Sequence, residues 1–142
     1  MELGSNRKSR MISLLRNANV RITDQRIALL SVISEANDHP DVLELQKRAK
    51  KICPSISLAT VYRTLLSFLE SGVVHRNSFE GGGARYEMAK EEHHDHIIDV
   101  DTGEVVEFNS DIIENLQFEI ASKMGYDVIH HRLDLYCRKV SK

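Results

Sequence analysis

The run His93-His94-Asp95-His96 gathers three imidazoles and a carboxylate into four consecutive residues. These are the usual protein ligands of first-row divalent metals, and a set without thiolate favours borderline or harder ions. Side chains alternate along an extended segment, so His94 and His96 share one side while His93 and Asp95 share the other. One short run can therefore feed two separate metal sites. Each pair needs further donors. Candidates are Glu87 in the second strand of a predicted hairpin, His39 in a loop, Glu114 on a C-terminal helix and His131 on the last strand. A lone histidine on an apolar face, as His131 is, is more often a hydrogen-bonded core residue than a ligand. For the clustered run the weighting reverses toward metal.

A second kind of chemistry is written between Ser57 and Gly72. Ser57 is a good helix N-cap and Gly72 a good residue to follow the C-terminus. Leu58, Val61, Leu65, Phe68 and Leu69 fall on one face of the intervening helix. Thr60, Arg63 and Ser67 occupy the other, with Tyr62 at its edge, and no acidic residue appears before Glu70. Such a face can lie against phosphates without repulsion.

The elements that must position these residues follow from local signals. Met11, Ile12, Leu15 and Ala18 form one helical stripe. Thr23 caps a second helix with Ile27, Leu30 and Ile33 as its apolar stripe. Asp41 caps a third, with Glu44 three residues later as in a capping box; its apolar positions are Val42, Leu45, Ala49 and Ile52, and Cys53-Pro54 ends it. After the fourth helix, Val73 to Phe79 and Ala84 to Met88 read as a hairpin across Glu80-Gly81-Gly82-Gly83. Helices followed by a two-stranded hairpin outline a winged helix, whose fourth helix would enter a major groove. Lys90-Glu91-Glu92 reads as a hinge. Beyond it, strands from His96 to Val100 and Glu104 to Phe108 flank Asp101-Thr102-Gly103. Ser110 or Asp111 caps a helix carrying Ile113, Leu116, Ile120 and Met124, which Gly125 stops. The last strand runs from Tyr126 to Cys137, with Ile129, His131, Leu133 and Leu135 facing one way.

The fold class expected is thus α+β, a winged-helix DNA-binding domain over 1–89 followed by a small β-β-α-β dimerisation domain over 90–142. The second domain is too small to be comfortable alone, which favours dimerisation through it. Charge divides the chain at nearly the same place: residues 1–86 carry 13 Lys and Arg against 8 Asp and Glu, and residues 87–142 carry 6 against 13. A basic half suits a polyanion and an acidic half suits cations or a partner subunit. The 142 residues, 42% hydrophobic and 28% charged, suffice for two small packed cores with a soluble surface. No apolar run approaches a membrane span, and the polar start from Met1 to Arg10 lacks the centre of a secretory signal, so a cytoplasmic location is expected. Cys53 and Cys137 are too few and too far apart for a disulfide framework or a cysteine-rich zinc site.

The segments "SLATVYRTLLSFLESGVV", "FEGGGARYEM", "HHDHIIDVDTGEVVEF" and "HRLDLY" resemble the ferric uptake regulator family, over about Arg21 to Tyr136. The joint occurrence of "ATVYRTL" and a downstream "HHDH" carries most of the specificity. The resemblance implies a homodimeric, metal-dependent repressor of metal-uptake genes that binds double-stranded operator DNA. It implies that Tyr62 and Arg63, on a helix bearing Ser57 and Thr60, meet the major groove and that Arg21 reaches the minor groove. It also implies a regulatory site of His39, Glu87, His94 and His96, with Glu107 a possible fifth ligand, and a second site of His93, Asp95, Glu114 and His131. Iron(II) or manganese(II) is expected at the first, and zinc(II) or the same ion at the second.

One departure stands out. Many family members hold zinc with two Cys-x-x-Cys pairs, but Asp99 and Thr102 occupy the first pair's positions and the tail offers only Cys137. Two rival readings come from other classes. A metalloenzyme with a histidine–carboxylate centre is disfavoured because the winged helix uses over half the chain and no substrate anchor is evident. A DNA-binding protein with purely structural metal would not need ligands drawn from both domains. No enzymatic activity, membrane association or further protein partner is expected.

Overall fold

In the computed structural model, residues 4–89 and 93–141 are described, and the predicted hinge at Lys90-Glu91-Glu92 lies outside them. The chain divides into two compact units, Met1–Lys90 and Glu91–Lys142. The first unit contains α1 (Ser5–Asn17), α2 (Asp24–Glu35), α3 (Val42–Ala49), α4 (Leu58–Glu70), β1 (Val74–Ser78) and β2 (Ala84–Met88). The second contains β3 (Asp95–Asp99), β4 (Val105–Phe108), α5 (Asp111–Lys123) and β5 (Asp134–Cys137). The α+β architecture is the expected one.

Side-chain caps start four of the helices. Thr23, Asp41, Ser57 and Ser110 accept from the amides of Arg26, Glu44, Thr60 and Ile113 respectively. Each such cap contributes roughly 1 kcal/mol. The capping box at Asp41 is only half formed, because the Glu44 carboxylate turns forward to Arg48 Nε at 3.0 Å. Helix α3 also stops a turn before Cys53-Pro54. Ile52 N to Ala49 O at 3.0 Å and Cys53 N to Ala49 O at 2.8 Å continue the coil only as tight turns, since Pro54 denies Cys53 a helical conformation. Gly72 at φ +79° and Gly125 at φ +87° reverse the chain after α4 and α5, a backbone region open to glycine without penalty.

The predicted stripe on α2 is too narrow. Every residue from Ile27 to Ile33 is buried, because α1, α3, α4 and β2 all pack around this helix. An all-round apolar helix is a central one. Its Leu29, Leu30 and Ile33 join Met11, Leu15, Leu45, Val61, Leu65 and Phe68 in a single core. That core fixes α4 by one face, leaving Tyr62, Arg63 and Leu66 exposed. The β1–β2 hairpin is antiparallel, with His75 opposite Glu87 and Asn77 opposite Arg85.

In the second unit β3 is the middle strand, antiparallel to β4 and parallel to β5. The expected final strand from Tyr126 is much shorter than predicted. It pairs only from Asp134 to Cys137, opposite His96 to Asp99, because the five-residue β3 offers no further ladder; Ile129 is 94% exposed. Helix α5 buries no residue, and Ile112, Leu116, Phe118, Ile120 and Met124 are all exposed. No helix among the described residues is long and apolar enough to cross a membrane.

Candidate metal sites and nucleic-acid face

Strand β3 reads Asp-His-Ile-Ile-Asp, and Asp95, His96 and Asp99 are all buried in it. Burying ionisable groups in the middle strand of a small sheet is costly unless each has a strong partner. The alternation of side chains sorts them. On one side, Asp95 Oδ1 lies 2.8 Å from His93 Nε2 and 3.3 Å from His131 Nε2. The two imidazole Nε2 atoms are 3.0 Å apart. On the other side, the rings of His94 and His96 meet edge to face at 5.0 Å between centroids.

The His93–Asp95–His131 triangle fits a divalent cation by its own dimensions. With metal–ligand bonds of about 2.1 Å, neighbouring donors sit about 3.0 Å apart in an octahedron and about 3.4 Å apart in a tetrahedron. The observed edges of 2.8, 3.0 and 3.3 Å lie close to these spacings. Asp95 is fully buried, and its Oδ2 has no hydrogen-bond partner among the described residues. An orphaned carboxylate oxygen beside two imidazoles is what a cation would satisfy. Glu114, on the first turn of α5, brings Oε1 to 4.0 Å from His93 Nε2. His131 lies in the irregular stretch before β5, not on a strand.

The remaining predicted ligands are arranged within each unit separately. In the first, Tyr86 N donates to Pro40 O at 3.1 Å, stitching the α2–α3 loop to β2. This brings His39 Nε2 to 2.7 Å from Glu87 Oε2, with both side chains over nine-tenths buried. Asn77 Nδ2 donates to Glu87 Oε1 at 3.0 Å and holds the carboxylate in place. His39 adopts φ +53°, a left-handed conformation that costs a non-glycine residue about 1–3 kcal/mol and that clusters at functional positions. In the second unit, His94 Nε2 stands 3.6 Å from Glu107 Oε1, and Glu107 is the register partner of His96.

Asp134 was missed in the sequence. Opposite His96 in the β3–β5 register, it places Oδ1 3.3 Å from His96 Nδ1, and Arg132 Nε donates to its Oδ2 at 2.7 Å. A carboxylate beside Nδ1 orients the imidazole by charge, with Nε2, the other ring nitrogen, as the ligand atom it would offer a cation. No signal in "HRLDLY" marked it, because Asp134 falls at a polar position of the alternation, beside Arg132 and opposite in facing to Leu133 and Leu135.

On the nucleic-acid side, Tyr62 is 52% exposed on α4 beside exposed Arg63. Ser57 is engaged as the cap of α4, and Thr60 Oγ1 accepts from Ser57 Oγ at 2.9 Å and from Arg63 at 3.3 Å. Arg21 is exposed just before α2. The tail is held without cysteine. The Asp99 carboxylate accepts from the amides of Asp101 and Thr102, while Arg138 meets Asp101 at 3.3 Å and Lys139 approaches Asp99 at 4.0 Å. Those amides, Asp101's foremost, hold the Asp99 carboxyl below the usual carboxylate range. Cys53 and Cys137 are both free thiols.

A sequence model described as the ferric uptake regulator family matches residues 17–136. The ferric uptake regulation protein of Brucella abortus biovar 1 (strain 9-941) is 54% identical over 126 residues, 89% of each chain. A solved structure of a zinc-bound manganese uptake regulator is similar with a TM-score of 0.82 at 42% identity, covering 92% of this chain and 98% of that one. The Vibrio cholerae ferric uptake regulator, whose structure is described as revealing rearrangement of its DNA-binding domains, gives a TM-score of 0.79 at 38% identity, covering 89% and 98%.

Proposed function

The chain belongs to the ferric uptake regulator family, and on that premise we propose how metal occupancy governs its hold on DNA. It is a metal-responsive transcriptional repressor of uptake genes and not an enzyme. The regulatory ligands are His39 and Glu87 from the first unit with His94, His96 and Glu107 from the second. The observation that carries this reading is the pair of half-built ligand sets. His39 with Glu87, and His94 with His96 and Glu107, each present imidazole and carboxylate in a protected setting. Neither half alone reaches the four or more donors a divalent ion usually takes. When bound, iron(II) or manganese(II) supplies a Lewis-acid centre for ligands of both units. His39 and Glu87 then tie the DNA-binding unit to the unit carrying His94 and His96, so one interdomain arrangement gains population over the others. His93, Asp95, Glu114 and His131 form a second site for zinc(II) or the same ion and brace their own unit.

The DNA partner is a double-stranded operator bound by a homodimer. Helix α4 enters the major groove, with Tyr62 on base edges, Arg63 on phosphate or guanine, and Ser57 and Thr60 close to the backbone. Arg21 reaches the minor groove. The unburied apolar residues of α5 support dimerisation through the second unit. Action on operators places the protein in the cytoplasm. The test is operator binding under buffered free iron(II), manganese(II) and zinc(II), each alone. Iron(II) or manganese(II) should tighten binding at least about tenfold, a coupling of about 1.4 kcal/mol. Equal affinity with chelator and with every ion would leave the metals structural.

A further inference from the structure

Neither metal site involves the notch between the start of α2 and the polar face of α4. Arg21, Arg26 and Arg63 line this groove of about 550 Å³ together with Thr23, Thr60 and a single acid, Asp24. None of the three guanidinium groups is in a salt bridge among the described residues. Three cations facing one cavity repel one another, and an anion there relieves the repulsion. Arg26 is the best fixed of the three. One of its terminal nitrogens donates to Ser67 Oγ at 3.3 Å and to the Arg21 carbonyl at 3.4 Å, spanning from α2 to α4. Its Nε and other terminal nitrogen have no partner among the described residues, and this fork matches two phosphate oxygens.

We infer that this notch seats one phosphate of the DNA backbone, with Arg26 as its principal ligand and Arg63 beside it. The inference rests on the DNA-binding reading above and deepens it. Tyr62 adjoins Arg63 on the same exposed helix face, so a phosphate gripped here sets how deeply that face sits in the groove. Contacts of this kind fix register without reading sequence.

The test uses the manganese-loaded full chain, a duplex selected by the wild-type protein from a random pool, and a scrambled duplex. Affinity is measured across a salt series for wild type, Arg26→Gln and Ser67→Ala. Losing one phosphate contact should lower the slope of log K against log salt by about 0.9 on both duplexes, roughly an eightfold loss near 0.1 M salt. Ser67→Ala removes the neighbouring hydrogen bond but no charge, and should keep the wild-type slope. An unchanged slope in Arg26→Gln, a loss confined to the selected duplex, or an equal slope change in Ser67→Ala would overturn the seat. Tight binding of inorganic phosphate to the DNA-free wild type that Arg26→Gln abolishes, with no effect of Arg26→Gln on the DNA salt slope, would overturn the seat and assign the notch to a free phosphate instead. Wild-type protein that binds neither duplex would fail the DNA reading as a whole, whereas wild-type binding with an unchanged Arg26→Gln slope fails this inference alone.

Discussion

Replacing Asp95 by asparagine separates a metal site from an ordinary buried polar cluster. Asparagine keeps the size and one acceptor oxygen but removes the charge that joins His93 and His131 across 2.8 and 3.3 Å. Without metal the change should be nearly neutral. The wild-type carboxylate is fully buried with one oxygen unsatisfied, so asparagine sheds the desolvation penalty of that charge while keeping an acceptor for a neutral His93. With metal the two proteins should part. An ion at a hundred times its Kd stabilises the native state by about 2.7 kcal/mol through mass action. For a chain of about this length each kcal/mol raises Tm by about 2–4 °C, which amounts to roughly 5–11 °C. Thermal melts of both proteins, chelated and with zinc(II) in excess, measure the difference. The wild type should gain this shift and Asp95→Asn should not. If the variant melts several degrees lower even in chelator, or keeps the full metal shift, the triangle is a structural hydrogen-bond cluster and the ligand assignment fails.

Asp134→Asn should weaken regulatory-metal binding by about 10–100-fold, as loss of a ligand-orienting partner does, while the chelated protein melts as wild type; unchanged metal affinity in competition titrations would contradict that role. Tyr62→Ala should cost about 1–3 kcal/mol on the operator and much less on random DNA; undiminished discrimination in titrations against both would contradict its role. Asp99, with its carboxyl held below the ordinary range, contributes stability that is present above that range and disappears as pH falls through its lowered value. Asp99→Asn should therefore melt below wild type at neutral pH and converge with it in acid, and melts that stay parallel across pH would refute this.

Much of the fold was readable because the signals were local. The caps Thr23, Asp41, Ser57 and Ser110 act on amides three residues away, and Gly125 marks the end of α5 by its positive φ. The split of the histidine run into two faces needed only the period of an extended chain. What escaped prediction depends on distant partners. The length of β5 is set by the five residues of β3, not by the alternation in its own sequence. The burial of α2 on every side reflects three helices and a strand that surround it. Glu44 left the capping box for Arg48, which lies one turn on and also pairs with Asp38. Asp134 and Arg26 stood in the sequence as ordinary charges until strand register and helix packing gave each a neighbour.

If ligands from both units answer to one ion, the operator Kd must depend on His96 only when metal is present. It is measured for wild type and His96→Ala, each with chelator and with saturating manganese(II), on protein shown to remain a folded dimer. At least about tenfold tightening is expected in the wild type and none in His96→Ala, with equal chelated affinities. Metal-induced tightening of the same size in His96→Ala would contradict a shared ion.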